Sequence, residues 1–543
     1  MTLCLLLLLA VVASGMVSRV LPAGLPRPLV QIAFGALIAA LTPTPVVLDP
    51  ELFFLLLVPP LLFLDGWRIP KDELLRDSRV VLGLALGLVF LTVLGIGLFV
   101  HWLIPAMPMP VAFALAAVVS PTDPIAVGAV AQKVAVPRRM MHILEGESLL
   151  NDASGLVCLR FAIAAALSGS FSLADAAATF AWMALAGVAI GAGVTWAAIT
   201  GKAAFGRRFG DDAGSNILVS LLIPFGAYLA AEHAHASGVL AAAAAGIAIT
   251  FVGGPTAMGA SSRIRRRAVW DMVQFTLNGV IFVLLGQQLP EVFTRASAIV
   301  AEAGRRSAWW LLVDAVAIVA ALAALRYAWV WLSLKVTLLR ARRRGDDRGS
   351  PPRRIIAAMS VAGARGAITL AGALTLPLTL ADGAPFPARD LVIFLACCVI
   401  LASLVIAAVG LPWLLRDLRL PPDTGDAADR DRARTVGAQA AIAAIEQAQH
   451  DLGEGSGEAD RYTEVAARLM DQYRERLEGL TGDAAAQDHR NRRIERDLRL
   501  AAVAAERQAV FDLARRREVG LAVAEQIGRE LDDADARLTR MVV

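Results

Sequence analysis

Apolar residues fill most of the first 415 positions in blocks of about 17–25, the length an α-helix needs to cross roughly 30 Å of hydrocarbon. The blocks lie near residues 3–18, 28–42, 50–66, 80–103, 110–131, 143–168, 174–200, 215–232, 237–253, 271–289, 307–336, 355–380 and 390–415. They predict thirteen membrane-spanning helices. The first, "MTLCLLLLLAVVASGMVSRV", lacks the basic head of a secretory signal and is followed at once by further spans, so it reads as a helix that stays in the membrane. Beyond about residue 420 no block of membrane length recurs. There the stretch "RIERDLRLAAVAAERQAVFDLARRREVGLAVAEQI" repeats its apolar positions every three or four residues, as an amphipathic helix does. The expected fold class is all-α and polytopic, with a transmembrane domain over 1–416 and a helical C-terminal tail over 417–543.

Composition agrees with a bilayer setting: 57% of the 543 residues are apolar, 18% are charged, and mean hydropathy is +0.61. Charge adds orientation. Arg19, Arg27, Arg68, Lys71, Arg76, Arg79, Lys133, Arg138, Arg139, Lys202, Arg207, Arg208, the run "SSRIRRR" and the loop "RARRRGDDRGSPPRR" fall on one alternating set of connections. The other set holds only Arg295, Arg305, Arg306 and Arg389. Lysine and arginine are retained in the cytoplasm, which puts the N-terminus outside and, after an odd number of spans, the tail inside. Beyond residue 420 the chain carries 25 acidic residues against 19 arginines and no lysine, a net negative balance that argues against nucleic acid as a partner. The four cysteines sit inside apolar runs without metal-ligand spacing and read as small buried hydrophobes.

The chemistry lies in the polar residues within the spans, because a charge at mid-membrane costs roughly 2.5–3.5 kcal/mol on insertion scales. The fifth span carries "SPTDP", two prolines around Thr122 and Asp123. The sixth, "ILEGESLLNDASGLVCLRF", carries Glu145, Glu147, Asn151, Asp152 and Arg160. Arg326 lies in the eleventh, and Arg365 in the twelfth among Gly363, Gly366 and Gly372. Ser148 and Asp152 are four residues apart and share a helix face; Glu147 and Asn151 form the adjacent stripe. A carboxylate, a hydroxyl and an amide within one turn are the hard oxygen donors a small monovalent cation prefers. The prolines predict a break that frees backbone carbonyls beside them, and irregular backbone at membrane depth is tolerated where it lines a cavity. Broken helices at the midplane, one in each of two inverted repeats, are a device of secondary transporters, and the glycine-rich twelfth span is the candidate second copy. Arg160 reads as a snorkelling side chain near the outer end of its helix. Asp65 reads either as a partner of Arg68 or as part of an inner vestibule.

"SPTDPIAV", "GESLLNDASGLV" and "GARGAITLA", with "VPPLLFLDGWRIP", "AYLAAEHAHASGVLAAAAAGI" and "WDMVQFTLNGVIFVLLGQQL", resemble the sodium/proton exchangers of the monovalent cation:proton antiporter-1 family, in order over most of residues 50–410. The tail resembles the cytoplasmic extension of bacterial members. This resemblance implies a homodimer in the bacterial inner membrane, two inverted six-helix repeats with crossed, unwound fifth and twelfth spans, and alternating access serving sodium transport and pH homeostasis. It implies Asp152 as the principal cation and proton carboxylate, with Asn151 beside it and Thr122, Asp123 and Ser148 completing the site. The expected Na+ ligands are then Asp152, Asp123, Ser148 and Thr122. Glu147 matches the acid that pairs with an arginine of the eleventh span, here Arg326, and Arg365 matches the charge of the broken twelfth span. No cofactor is expected beyond the transported ions, Na+, Li+ or K+ and H+, and membrane lipid is the remaining partner.

An asparagine at 151, where electrogenic relatives carry a second aspartate, predicts one-for-one electroneutral exchange. A K+/H+ antiporter of the same mechanism is the alternative. Two other classes also bury carboxylates: a passive cation channel, which would show repeated filter loops, and an intramembrane aspartyl hydrolase, for whose chemistry Asn151, Ser148 and the broken helix have no role. The expected protein is a transporter rather than an enzyme.

Overall fold

The computed structural model describes residues 2–20, 26–42, 50–124, 127–128, 136–168, 173–210, 212–252, 260–302, 309–343, 352–380, 383–416, 424–453, 459–478, 484–516 and scattered positions to 535. It divides into two compact units, Met1–Leu418 and Arg419–Val543. All regular structure among the described residues is helical, apart from one isolated bridge between Thr379 and Pro385.

In the first unit the helices are α1 (Thr2–Val20), α2 (Arg27–Leu41), α3 (Pro50–Arg68), the short α4 (Lys71–Arg76) and α5 (Ser78–Leu103), whose Gly83–Leu88 stretch is π-helical. They continue with α6 (Met109–Val119), α7 (Arg138–Ser168), α8 (Leu173–Phe209), α9 (Ala213–His233) and α10 (Gly238–Val252). The unit closes with α11 (Ala260–Glu302), α12 (Trp309–Arg343), α13 (Arg353–Val361), α14 (Ala367–Leu374) and α15 (Arg389–Leu415). Each of the thirteen apolar blocks holds helix. Among the described residues seven helices, α5, α7, α8, α9, α11, α12 and α15, are long and apolar enough to cross a membrane, and α1, α2, α6 and α10 are shorter apolar helices. Local sequence sets several starts: proline occupies the first turns of α2 and α6, where its missing N–H costs nothing, and Asp212 caps α9 by accepting from the Ser215 amide at 2.8 Å.

Two sets of helices carry the apolar clusters. One set is α5, α6 and α7 with α12, α13, α14 and α15, whose main cluster also takes in Ile32 of α2 and Phe282 and Leu285 of α11; the other clusters are formed mainly by α1, α2, α3, α8, α9, α10 and α11. Within the second set α2 packs along α11 and α3 along α10, in both cases backbone to backbone. A Cβ on Gly35 would overlap the Val283 carbonyl, and one on Gly286 the Ile32 carbonyl. Gly66 and Gly246 stand in the same relation to Ala243 and Phe63. Small residues at these contacts are the membrane solution to close helix approach, because lipid offers no hydrophobic drive for association.

The second unit contains α16 (Thr424–Gly453) and α17 (Ala459–Glu478), which pack together, and α18 (Ala484–Arg515). Arg507 on α18 pairs with Asp535 at 3.0 Å, and Leu531 is buried nearby in sequence.

Candidate cation site

Both breaks fall where the sequence weakens a helix, by proline in one and by glycine in the other. In the first, α6 ends at Val119 because Pro121 and Pro124 remove the donors the next turn needs. Beyond Gly128 the second half of this span lies outside the described residues. The second break runs from Ala362 to Gly366, between α13 and α14. The two non-helical segments meet: the Asp123 amide donates to the Ala364 carbonyl at 2.7 Å.

This junction balances the helix ends it creates. Arg365 is buried; its Nε donates to the Val119 carbonyl at 3.0 Å and its Nη1 to the Gly363 carbonyl, while its amide donates to Ser403 Oγ at 2.9 Å. One guanidinium thus serves orphan carbonyls of both breaks, where the helix dipole is negative. Opposite it, the Asp123 carboxyl lies against Gly366, the residue preceding the first turn of α14; a Cβ there would overlap it. A helix N-terminus is where a carboxylate's charge is best supported.

Asp123 opens into a cavity between the two helix sets. One wall is α3 and α11, through Leu61, Leu62, Asp65, Gln274, Asn278 and Ile281. The other is the junction and α7, through Thr122, Asp123, Ser148, Asp152, Gly366 and Thr369. Thr122, Ser148 and Asp152 are buried, whereas Asp65 is exposed. Three carboxylates share this space, and among the described residues no basic side chain pairs with Asp152. A buried acid such as Asp152 is costly at membrane depth unless a cation or proton occupies the place beside it.

Behind the Thr122 side of the cavity stands a second network. Glu147 and Arg326, 1% and 3% exposed as side chains, form a bidentate pair: Nη2 to Oε2 is 2.7 Å, and Nη1 also donates to Oε1. Arg326 Nε donates to the Met359 carbonyl at 3.0 Å, and Gly363 leaves the room, since a Cβ there would stand 3.1 Å from the Arg326 side chain. Asn151 does not line the cavity. Its amide donates to Thr122 Oγ1 at 2.9 Å, and Thr122 in turn donates to Glu147 Oε1 at 3.3 Å. Asn151 therefore meets the cavity wall through Thr122, because its stripe on α7 is turned toward the ion pair.

Thr122, Asp123, Ser148 and Asp152 line one cavity. Asp65 belongs to the same cavity, while the polar partners of Arg68 are Asp271 and Gln274. Gln274, Asn278 and Thr369 escaped the sequence reading, although Gln274 and Asn278 stand four apart in an otherwise apolar span and Thr369 lies one turn beyond Gly366. Arg160 does not merely snorkel: its Nη2 lies 3.0 Å from Glu232 on α9, across the two helix sets.

A helical bundle with two interrupted helices meeting beside clustered carboxylates is an arrangement that secondary transporters use. The chain belongs to the sodium/hydrogen exchanger family: the model of its transmembrane domain matches residues 5–417. It is similar to the uncharacterised Na+/H+ exchanger YjcE of Escherichia coli (strain K12), 39% identical over 542 residues and 98% of each chain. It is equally similar to a sodium, potassium, lithium and rubidium/H+ antiporter of Bacillus pumilus (strain SAFR-032), 39% identical over 94% of this chain and 74% of that one. In fold it resembles the sodium proton antiporter MjNhaP1 of Methanocaldococcus jannaschii, with a TM-score of 0.56 at 18% identity, covering 77% of this chain and 99% of that one. The protein is a multi-pass membrane cation/proton antiporter.

Proposed function

We propose that this antiporter exchanges one alkali cation, sodium in the first instance, for one proton, the two competing for Asp152. The convergence of Asp152, Ser148, Thr122 and Asp123 on one cavity carries this reading. Asp123 contributes fixed charge at the N-terminus of α14, Glu147 is committed to Arg326, and Asn151 has no titrating group. Asp152 is thus the carboxylate left to alternate between proton and cation, and each loaded form carries the same net charge. Asp65 widens the acidic entrance. The name of the Bacillus pumilus relative favours a second reading, in which potassium, lithium and rubidium are also cargo.

The exposed Asp65 at the end of α3 that meets Arg68 and Lys71 supports a cytoplasm-facing state, with the N-terminus outside, thirteen crossings of the bacterial inner membrane and residues 417–543 inside. The matching glycine contacts of α2 with α11 and of α3 with α10 support two inverted repeats around the junction. The cavity wall formed jointly by two helix sets supports alternating access by movement of one set against the other, within a homodimer. Proteoliposomes clamped at several potentials test the stoichiometry, since moving one net charge is worth about 2.3 kcal/mol per 100 mV. A null point of flux that stays fixed with voltage is expected; one that shifts refutes one-for-one exchange.

A further inference from the structure

Two buried oxygens facing the cavity have no hydrogen-bond partner: Thr369 Oγ1 on α14 and Asn278 Oδ1 on α11. Thr369 is 1% exposed and stands in the first turn of α14, three residues from the Gly366 that touches Asp123. A serine or threonine in a helix ordinarily returns its hydroxyl to a carbonyl four residues back. Thr195 does so within α8, bonding the Gly191 carbonyl at 2.9 Å. Thr369 makes no such bond: the residue four back is Arg365, which lies in the non-helical break ahead of α14, where its carbonyl is not held in helical register beneath the hydroxyl. Leaving a hydroxyl buried and unpaired costs about 1–3 kcal/mol, so this position calls for an occupant of the cavity to meet it.

Resting on the cation-exchange reading above, we infer that Thr369 supplies a neutral oxygen to the bound cation and sets the choice among alkali ions. Carboxylates at 123 and 152 provide charge, which every monovalent cation shares. Discrimination depends on how many oxygens replace the hydration shell, and at what spacing. The smaller ion gives up more hydration on entry and loses most when one replacement ligand is removed. Because Thr369 is on the same wall as Asp123 and Asp152, its hydroxyl stays with the ion through the transport cycle. Asn278 lies on the facing wall and meets the ion only where the two walls approach.

The experiment is cation-activated proton flux in proteoliposomes of the full chain, with Na+, Li+, K+ and Rb+ compared at one pH. Thr369→Val should retain exchange but raise the apparent KM for Na+ and Li+ roughly tenfold while changing that for Rb+ less than about twofold. Thr369→Ser should restore the wild-type order. Thr369→Ala, which removes the hydroxyl without leaving a branched side chain in the cavity, gives the same reading if the valine variant fails to assemble. Apparent KM values for Na+ and Li+ that rise no more than that for Rb+ in both variants, or a uniform fall in rate for all four ions that serine does not rescue, overturn the inference. The underlying site reading fails separately, if Asp152→Asn still exchanges.

Discussion

Glu147 and Asp152 are carboxylates five residues apart on α7, both almost wholly buried, yet their surroundings are opposite. Glu147 is closed off by Arg326, a residue 179 positions away, which takes both of its oxygens. Asp152 faces a cavity it shares with Asp65 and Asp123. Residue type and depth are nearly the same, so neither decides the role. What separates the two is that the fold brings a fixed cation to Glu147 and leaves Asp152 facing a cavity, the difference between a strut and, on the proposed function, a carrier.

The largest expected effect tests the carrier half. Asp152→Asn keeps shape and removes charge, so exchange should fall at least about a hundredfold, a loss of some 2.7 kcal/mol in transport competence by the usual arithmetic. Thermal stability of the purified protein should hold or rise, because an acid without a basic partner has left the membrane interior. Vesicle proton flux near wild type would end the distinction drawn here.

Next comes the strut. Arg326→Ala leaves Glu147 buried without its counter-charge, which typically costs about 3–5 kcal/mol, and the melting temperature in detergent should drop accordingly. Replacing both partners, as in Glu147→Leu with Arg326→Met, should recover much of that loss. A fully stable Arg326→Ala protein with altered cation affinity would move Glu147 from strut to carrier.

Arg365→Gln addresses the junction, on which the Asp123 side of the carrier depends. It withdraws charge-assisted bonds from the Val119 and Gly363 carbonyls, each worth about 1.5–3 kcal/mol. Exchange should fall about tenfold or more. Normal transport at normal stability would show that the two helix ends need no compensation.

The smallest effect belongs to Arg160 and Glu232. Their exposed pair is worth about 0–1 kcal/mol, so Arg160→Ala should leave the melting temperature nearly unchanged. Because it links α7 to α9 across the two helix sets, its removal should alter the maximal flux by a few fold at unchanged apparent KM for Na+. A stability loss comparable with that of Arg326→Ala would erase the contrast between a buried pair and an exposed one.

The sequence by itself determined the helices and their interruptions. Apolar blocks of membrane length, prolines 121 and 124, and glycines 363 and 366 act within a few residues of backbone, so hydrogen-bond supply and steric freedom announce each span and each break. The shared face of Ser148 and Asp152 is likewise a matter of helical period. Only the tertiary structure decided that Asp65, Asn278 and Thr369 join that face across one cavity, that Asn151 turns away to hold Thr122, and that Arg160 meets Glu232. The glycine contacts that seat α2 on α11 and α3 on α10 were equally invisible in the linear pattern. Local periodicity orders residues along a helix, but which faces meet depends on close packing of segments hundreds of residues apart, and a carboxylate's role follows from whichever partner that packing delivers.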